Sequence, residues 1–85
     1  MKQFILENIY TSAETPPYVV SIALFSSSVE AKKEGLKQLK KEAKEYRKTY
    51  GADNISTEEC YRDLYIKGPD FTDWWTIVEI PNNAQ

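Results

Sequence analysis

The stretch Ser27 to Gly51, SSVEAKKEGLKQLKKEAKEYRKTYG, constrains this chain more than any other, because it reads as one long helix with strands on both sides. Ser27 followed by Glu30 fits a capping box, in which each side chain satisfies a backbone donor left free in the first turn. Gly51 stands where a glycine closes a helix by taking a positive φ. Between these ends Val29, Leu36, Leu39, Ala43, Tyr46 and Tyr50 recur at helical spacing on one stripe. Ala31 and Gly35 extend that stripe with small residues, which would let the helix backbone approach a sheet closely. Gly35 costs about 1 kcal/mol of helix propensity relative to alanine, so a packing reason for it is expected.

The flanking segments carry the two-residue alternation of strands. Residues 2–10 read as a first strand, with Phe4, Leu6 and Tyr10 on one face and Ile5 and Ile9 on the other. Thr11 to Pro17 reads as a loop, because two prolines make ladder positions there unfavourable. Residues 18–25, YVVSIALF, read as a second strand with strong β-propensity. Residues 57–67, TEECYRDLYIK, have two readings. As a strand they continue a Tyr-rich alternation into Ile66; as a helix they would begin with a second capping box, Ser56 to Glu59. We adopt the strand, since three strands would make a marginal sheet. Residues 72–80 form the last strand, ended by Pro81, and Asn82 to Gln85 are expected to fray.

The expectation is therefore a single α+β domain over residues 1–81 with β-β-α-β-β order. One helix would pack on one face of a four-stranded, mainly antiparallel sheet in two layers. A helix of this length spans roughly 35 Å and covers only one face. The strands, however, are apolar on both faces. With Val20, Ile22, Leu24, Leu64, Ile66, Trp74, Val78 and Ile80 under the helix, the other face would carry Val19, Ala23, Phe25, Tyr61, Tyr65, Trp75 and Ile77. A contiguous apolar face with an acidic rim (Glu7, Asp63, Asp73, Glu79) has the make-up of a protein interface. Phe25, Tyr61, Tyr65, Trp75 and Ile77 are thus the expected partner-binding residues, for another protein or for a second copy in a homodimer.

Charge divides along the same lines. Glu30 to Lys48 hold eight basic and four acidic residues, a balance of +4, and the remainder holds three basic and nine acidic, a balance of −6. The basic flank of the helix, Lys33, Lys37, Lys40, Lys41, Lys44, Arg47 and Lys48, could bind a phosphate backbone. Glu30, Glu34 and Glu45 are interleaved with these lysines as on a solvated helix, and the chain as a whole is acidic, unlike most nucleic-acid binders. Protein binding is the leading expectation, with a nucleic-acid-binding or regulatory role for Lys33, Lys37, Lys40, Lys44 and Arg47 as the alternative.

No enzyme chemistry is legible. There is no histidine, and Cys60, the only cysteine, reads as a small core residue without an activating base. Three glycines offer no phosphate-cradling loop, and the acidic clusters lack the ligand order of a calcium loop. No metal, cofactor or catalytic residue is expected. The absence of a leader or a membrane-length apolar run leads to the expectation of a cytoplasmic protein.

The layout of a hairpin, then SSSVEAKKEGLKQLKKEAKEY directly after a strand, then a closing TDWWTIVEIP, resembles the short single-domain accessory proteins of bacteriophages and other mobile elements. That class includes anti-CRISPR and other anti-defence inhibitors. The resemblance implies stoichiometric binding to a host protein in the host cytoplasm, and it assigns no functional residue.

Overall fold

The computed structural model describes residues 2–81; the expected fraying of Asn82 to Gln85 lies outside them. Five strands and one long helix follow one another as β1 (Gln3–Ser12), β2 (Thr15–Phe25), α1 (Ser28–Tyr50), β3 (Ser56–Glu59), β4 (Asp63–Lys67) and β5 (Phe71–Ile80). A single 3-10 turn, Ala52–Asn54, links α1 to β3. The strands form one antiparallel sheet in the order β2-β1-β5-β4-β3. The architecture is α+β, as expected, with five strands rather than four.

The extra strand comes from residues 57–67, which fold as a hairpin. β3 and β4 pair Ser56 with Lys67 and Glu59 with Leu64, and the chain reverses at Cys60 to Arg62. The backbone N–H of Cys60 donates to Asp63 O (2.8 Å), closing the turn. Cys60 is therefore exposed, not buried as its size suggested. The first connection is also tighter than expected. β1 runs on to Ser12, which pairs with Thr15, so only Ala13 and Glu14 form the turn. Pro16 and Pro17 belong to β2 after all. They are tolerated because β2 is an edge strand, where a missing N–H breaks no ladder, and because the register with β1 slips there.

α1 is capped as its sequence indicates. Ser27 Oγ accepts from the Glu30 backbone N–H (3.1 Å), and Gly51, at φ 93°, donates its N–H to Arg47 O (2.9 Å). The helix buries Ala31, Gly35, Leu39 and Ala43, a row of strict i, i+4 spacing, with Leu36 and Tyr46 half-buried beside it. Val29, expected on this stripe, is 76 % exposed because the row leaves it beyond the sheet's edge of contact. Gly35 has the packing role anticipated for it. A Cβ there would stand 2.9 Å from Leu64 Cδ1 and 3.2 Å from Leu6 Cδ1.

The helix lies over β1, β5 and β4. Beneath it are Phe4 and Leu6 from β1, Leu64 and Ile66 from β4, and Phe71, Trp75 and Ile77 from β5, all buried. Cross-strand pairing puts Leu6 opposite Ile77, Leu64 opposite Trp75, Phe4 opposite Phe25 and Leu6 opposite Ala23, so these residues share the covered face. The sequence-based assignment of faces is correct for Leu64 and Ile66. It also holds for Tyr65 and, past the register slip, for Val19, but is reversed for β5 and for residues 22–25 of β2: Trp75, Ile77, Ala23 and Phe25 lie on the helix side, while Trp74, Val78, Ile80, Ile22 and Leu24 lie on the open side. With period-two alternation, a one-residue error in parity exchanges the faces of a whole strand, and WW at 74–75 offers an aromatic to either.

Substituting the two tryptophans separates the faces. Trp75→Ala should cost about 3–5 kcal/mol, enough to unfold much of a domain this small, whereas Trp74→Ala should cost about 1 kcal/mol or less. Urea denaturation followed by circular dichroism reads both. Gly35→Val should lose about 3 kcal/mol through overpacking against Leu6 and Leu64, although valine is the better helix former.

Candidate protein-binding face

The face opposite α1 is built by alternate residues of four strands. β1 gives Ile5, Glu7, Ile9 and Thr11; β5 gives Thr72, Trp74, Thr76, Val78 and Ile80. β2 adds Val19, Ile22 and Leu24, and β4 adds Asp63, Tyr65 and Lys67. Tyr65 and Trp74 lie against each other with ring centroids 6.2 Å apart. Among the described residues no second layer covers this surface. Three strands of ten or eleven residues at about 3.4 Å per residue, with the five-residue β4 beside them at about 4.8 Å spacing, make a face of roughly 570 Å2. That approaches the roughly 800 Å2 each partner contributes to a standard protein interface.

Glu7 is the polar feature at its centre. It is half-buried, flanked along β1 by Ile5 and Ile9, and paired across the sheet with Ile22 on one side and Thr76 on the other. It takes part in none of the ion pairs of the described residues, which are Lys2–Glu79, Lys48–Glu45, Arg62–Glu79 and Lys67–Glu58. Further burial of this carboxylate without a cation would be costly.

Of the expected partner-binding residues, Tyr65 alone belongs to this face. Tyr61 is 80 % exposed but sits in the β3–β4 turn, where Arg62 lies over its ring at 5.3 Å. Phe25 packs against the core from the covered side, and Trp75 and Ile77, at 1 % and 5 % exposure, are core residues unavailable to a partner. The residues that sequence reasoning missed as surface, Trp74, Ile22, Leu24 and Val78, were recognised as apolar but placed under the helix. Of the expected acidic rim, Glu7 and Asp63 are on the open face, and Asp73 and Glu79 are on the other.

The basic residues Lys33, Lys37, Lys40, Lys44 and Arg47 are all exposed and form one sector of α1 turned away from its buried row. Of the interleaved pairings expected within the helix, only Lys48 with Glu45 is made, at 3.5 Å. A groove of about 370 Å3 runs beside the helix, with Asn8 and Trp75 at its floor and Glu34, Lys37 and Lys41 at its wall. Its mixed charges match no single ligand class. Among the described residues no three His, Cys, Asp or Glu side chains are close enough to hold a metal ion, and no helix is long and apolar enough to cross a membrane.

Two polar residues, Asp73 and Asn8, are buried on the covered face. Asp73, 4 % exposed, accepts from Asn8 Nδ2 and from Tyr46 Oη, the latter at 2.8 Å. Asn8 also donates to Trp74 O (3.1 Å). Nearby, Trp75 Nε1–H donates to Gln38 Oε1 (2.9 Å), and Gln38 donates to Glu34 Oε2 (3.0 Å). Among the described residues no cation joins Asp73; loss of hydration raises its pKa, and the two donated hydrogen bonds only partly oppose this. Burial likewise raises the Tyr46 hydroxyl, with the hydrogen bond to Asp73 adding to it. These contacts orient α1 on the sheet; they form no nucleophile–base pair.

Compared with known proteins, the chain matches no family model, no curated protein and no solved structure.

The buried carboxylate gives a pH signature. Because the folded-state pKa of Asp73 is raised, its contribution favours folding below the ordinary carboxylate pKa and is lost as pH rises through the folded value. Asp73→Asn, which keeps one acceptor and can donate to Tyr46, should remove this dependence. The stability of wild type relative to Asp73→Asn should therefore be greatest in acid and decline toward neutral pH. Urea titrations at a series of pH values measure that difference directly.

Proposed function

We propose that this protein is a non-catalytic binding module whose docking surface is the open sheet face, and that its partner is another protein. The observation that carries this reading is Glu7, a carboxylate with no cation among the described residues, at the centre of an uncovered aliphatic and aromatic surface approaching interface size. The complementary partner offers an apolar patch with a lysine or arginine opposite Glu7. Trp74, Tyr65, Val78 and Ile9 then provide the buried contact area, and the Glu7 ion pair sets register and selectivity. Stoichiometric inhibition of a host protein, as in phage-encoded anti-defence proteins, is the most concrete form of such a module. It requires only that the bound face block a working surface of the target.

A second reading is favoured by one observation, the stripe of exposed basic side chains on α1. Lys33, Lys37, Lys40, Lys44 and Arg47 lack intrahelical partners and could hold a nucleic-acid backbone, with affinity that falls steeply as salt rises.

Both readings are decided with one set of variants. A partner captured from the native host should bind Trp74→Ala at least about tenfold more weakly, as expected for a central aromatic contact. Glu7→Gln should weaken it as well, and Lys40→Glu with Lys44→Glu should leave it unchanged. Binding insensitive to Trp74→Ala and Glu7→Gln would refute the open-face reading. Gel shifts with duplex and single-stranded probes at low salt test the other. Retardation abolished by the double lysine variant would establish it, and no retardation would end it.

A further inference from the structure

The two edges of the sheet are built in opposite ways. β3, at one edge, is four residues long, carries Glu58 and Glu59, and has Glu58 bonded to Lys67 at 3.1 Å. Short length and charge are the ordinary means of stopping an edge from pairing with another chain. β2, at the other edge, is eleven residues long and contains no charged side chain. Its apolar residues are the most exposed group in the sheet: Ile22 and Leu24 are 60 % exposed, and Tyr18, Val19 and Val20 about half. Its only protections are Pro16 and Pro17 at one end and the register slip beyond Ser21. Residues 21–25 keep regular pairing with β1, alternate without interruption, and no described strand lies on their outer side.

We propose that β2 pairs antiparallel with β2 of a second copy of this chain, making a continuous ten-stranded sheet across a two-fold axis within residues 21–25. Three features select a second copy over a foreign strand. An uncharged strand meets its own copy with no like charges opposed, whereas β3 could not. With the axis at Ala23, Ile22 of each copy lies opposite Leu24 of the other on the open face, so aliphatic meets aliphatic there, while on the helix side Ala23 meets itself and Ser21 lies opposite Phe25. Finally, an isologous contact consumes both open edges and leaves only the blunted β3 edges, so assembly stops at two. The open faces of the two copies then lie on the same side and merge into one apolar surface of about twice the single-copy area, on the order of 1,100 Å2. Both α1 helices lie on the opposite side. Edge pairing by itself buries little area, and the dimer should form with an affinity on the order of micromolar. This pairing uses a different surface from the open-face contact and stands or falls separately from it.

Sedimentation velocity over a concentration series tests it. Wild type should show a monomer–dimer equilibrium. Leu24→Lys, a charge on an exposed edge position, should raise the dimer dissociation constant by at least about tenfold. Trp74→Lys, on the same face but two strands away, should leave it unchanged. Single cysteines at Ser21, Ile22, Ala23 and Leu24 in a Cys60→Ser background supply a readout that needs no loss of function. Opposed positions in antiparallel strands bring Cβ atoms to about 4.5–5.5 Å, so the residue at the two-fold axis should form a disulfide dimer fastest under mild oxidation. Val78→Cys, on β5, gives the diffusional rate. The proposal is overturned if wild type stays monomeric at high micromolar concentration. It is equally overturned if no β2 cysteine cross-links faster than Val78→Cys, or if Trp74→Lys disrupts the dimer while Leu24→Lys does not. That last result would mean that the copies stack face to face.

Discussion

The close seating of α1 on the sheet is the contact from which the rest of the structure follows. It is possible because the buried row of α1 is mostly small, Ala31, Gly35 and Ala43, and Gly35 lies directly over Leu6 and Leu64. Trp75 is buried beneath the same helix, with its indole tied to Gln38 on it. Small residues on the helix and large ones on the sheet interlock, as dense packing requires. Once Trp75 is committed to that side, the parity of β5 is set, and pairing carries the choice to β1, β4 and β2. The identity of the open face is thus decided under the closed one.

The polar contacts in this layer act in the same sense. Asp73 holds both Tyr46 from the helix and Asn8 from the neighbouring strand, so its two oxygens fix the helix in rotation as well as distance. Keeping a carboxylate there without a cation costs stability, since burial disfavours its charge. An aliphatic residue would pack at less cost but would allow the helix to slide along an apolar sheet. Around this point Tyr10, Tyr46, Tyr50 and Phe71 form a ring cluster, with Tyr46 and Phe71 centroids 4.7 Å apart, that closes the end of the core near the β4–β5 turn.

The open face and the β2 edge are consequences of size. One helix over five strands cannot cover both sides, and it lies over β1, β5 and β4 rather than β2. β2 is left with little burial on either face, yet its composition is that of an interior strand. Apolar residues retained at exposed positions are the physical basis for reading this side of the molecule as built for contact. The basic sector of α1 points the other way. A partner on the open face and a polyanion on the helix would therefore not compete for the same surface.

The helix and its boundaries were legible in the sequence, because caps and 3.6-residue periodicity are local properties of Ser27, Glu30 and Gly51. The presence of strands on both sides, the single α+β domain and the surplus of apolar surface over what one helix can cover were legible for the same reason. The hairpin within residues 57–67 was not, since its turn, Cys60 to Arg62, contains no glycine or proline to mark it. Nor were the prolines of β2 as ladder residues, which depend on that strand being at an edge. Of the expected face, Tyr65 was correct, while Trp75 and Ile77 were exchanged with Trp74 and Val78. Both alternating sets of β5 and β2 are apolar, so hydrophobic pattern carries no information about which is inward. By itself the sequence determined the helix, its ends and the strands on either side of it, and that one helix covers only one sheet face. Only tertiary packing, through the burial of Trp75 under α1 and its hydrogen bond to Gln38, decided which face that is.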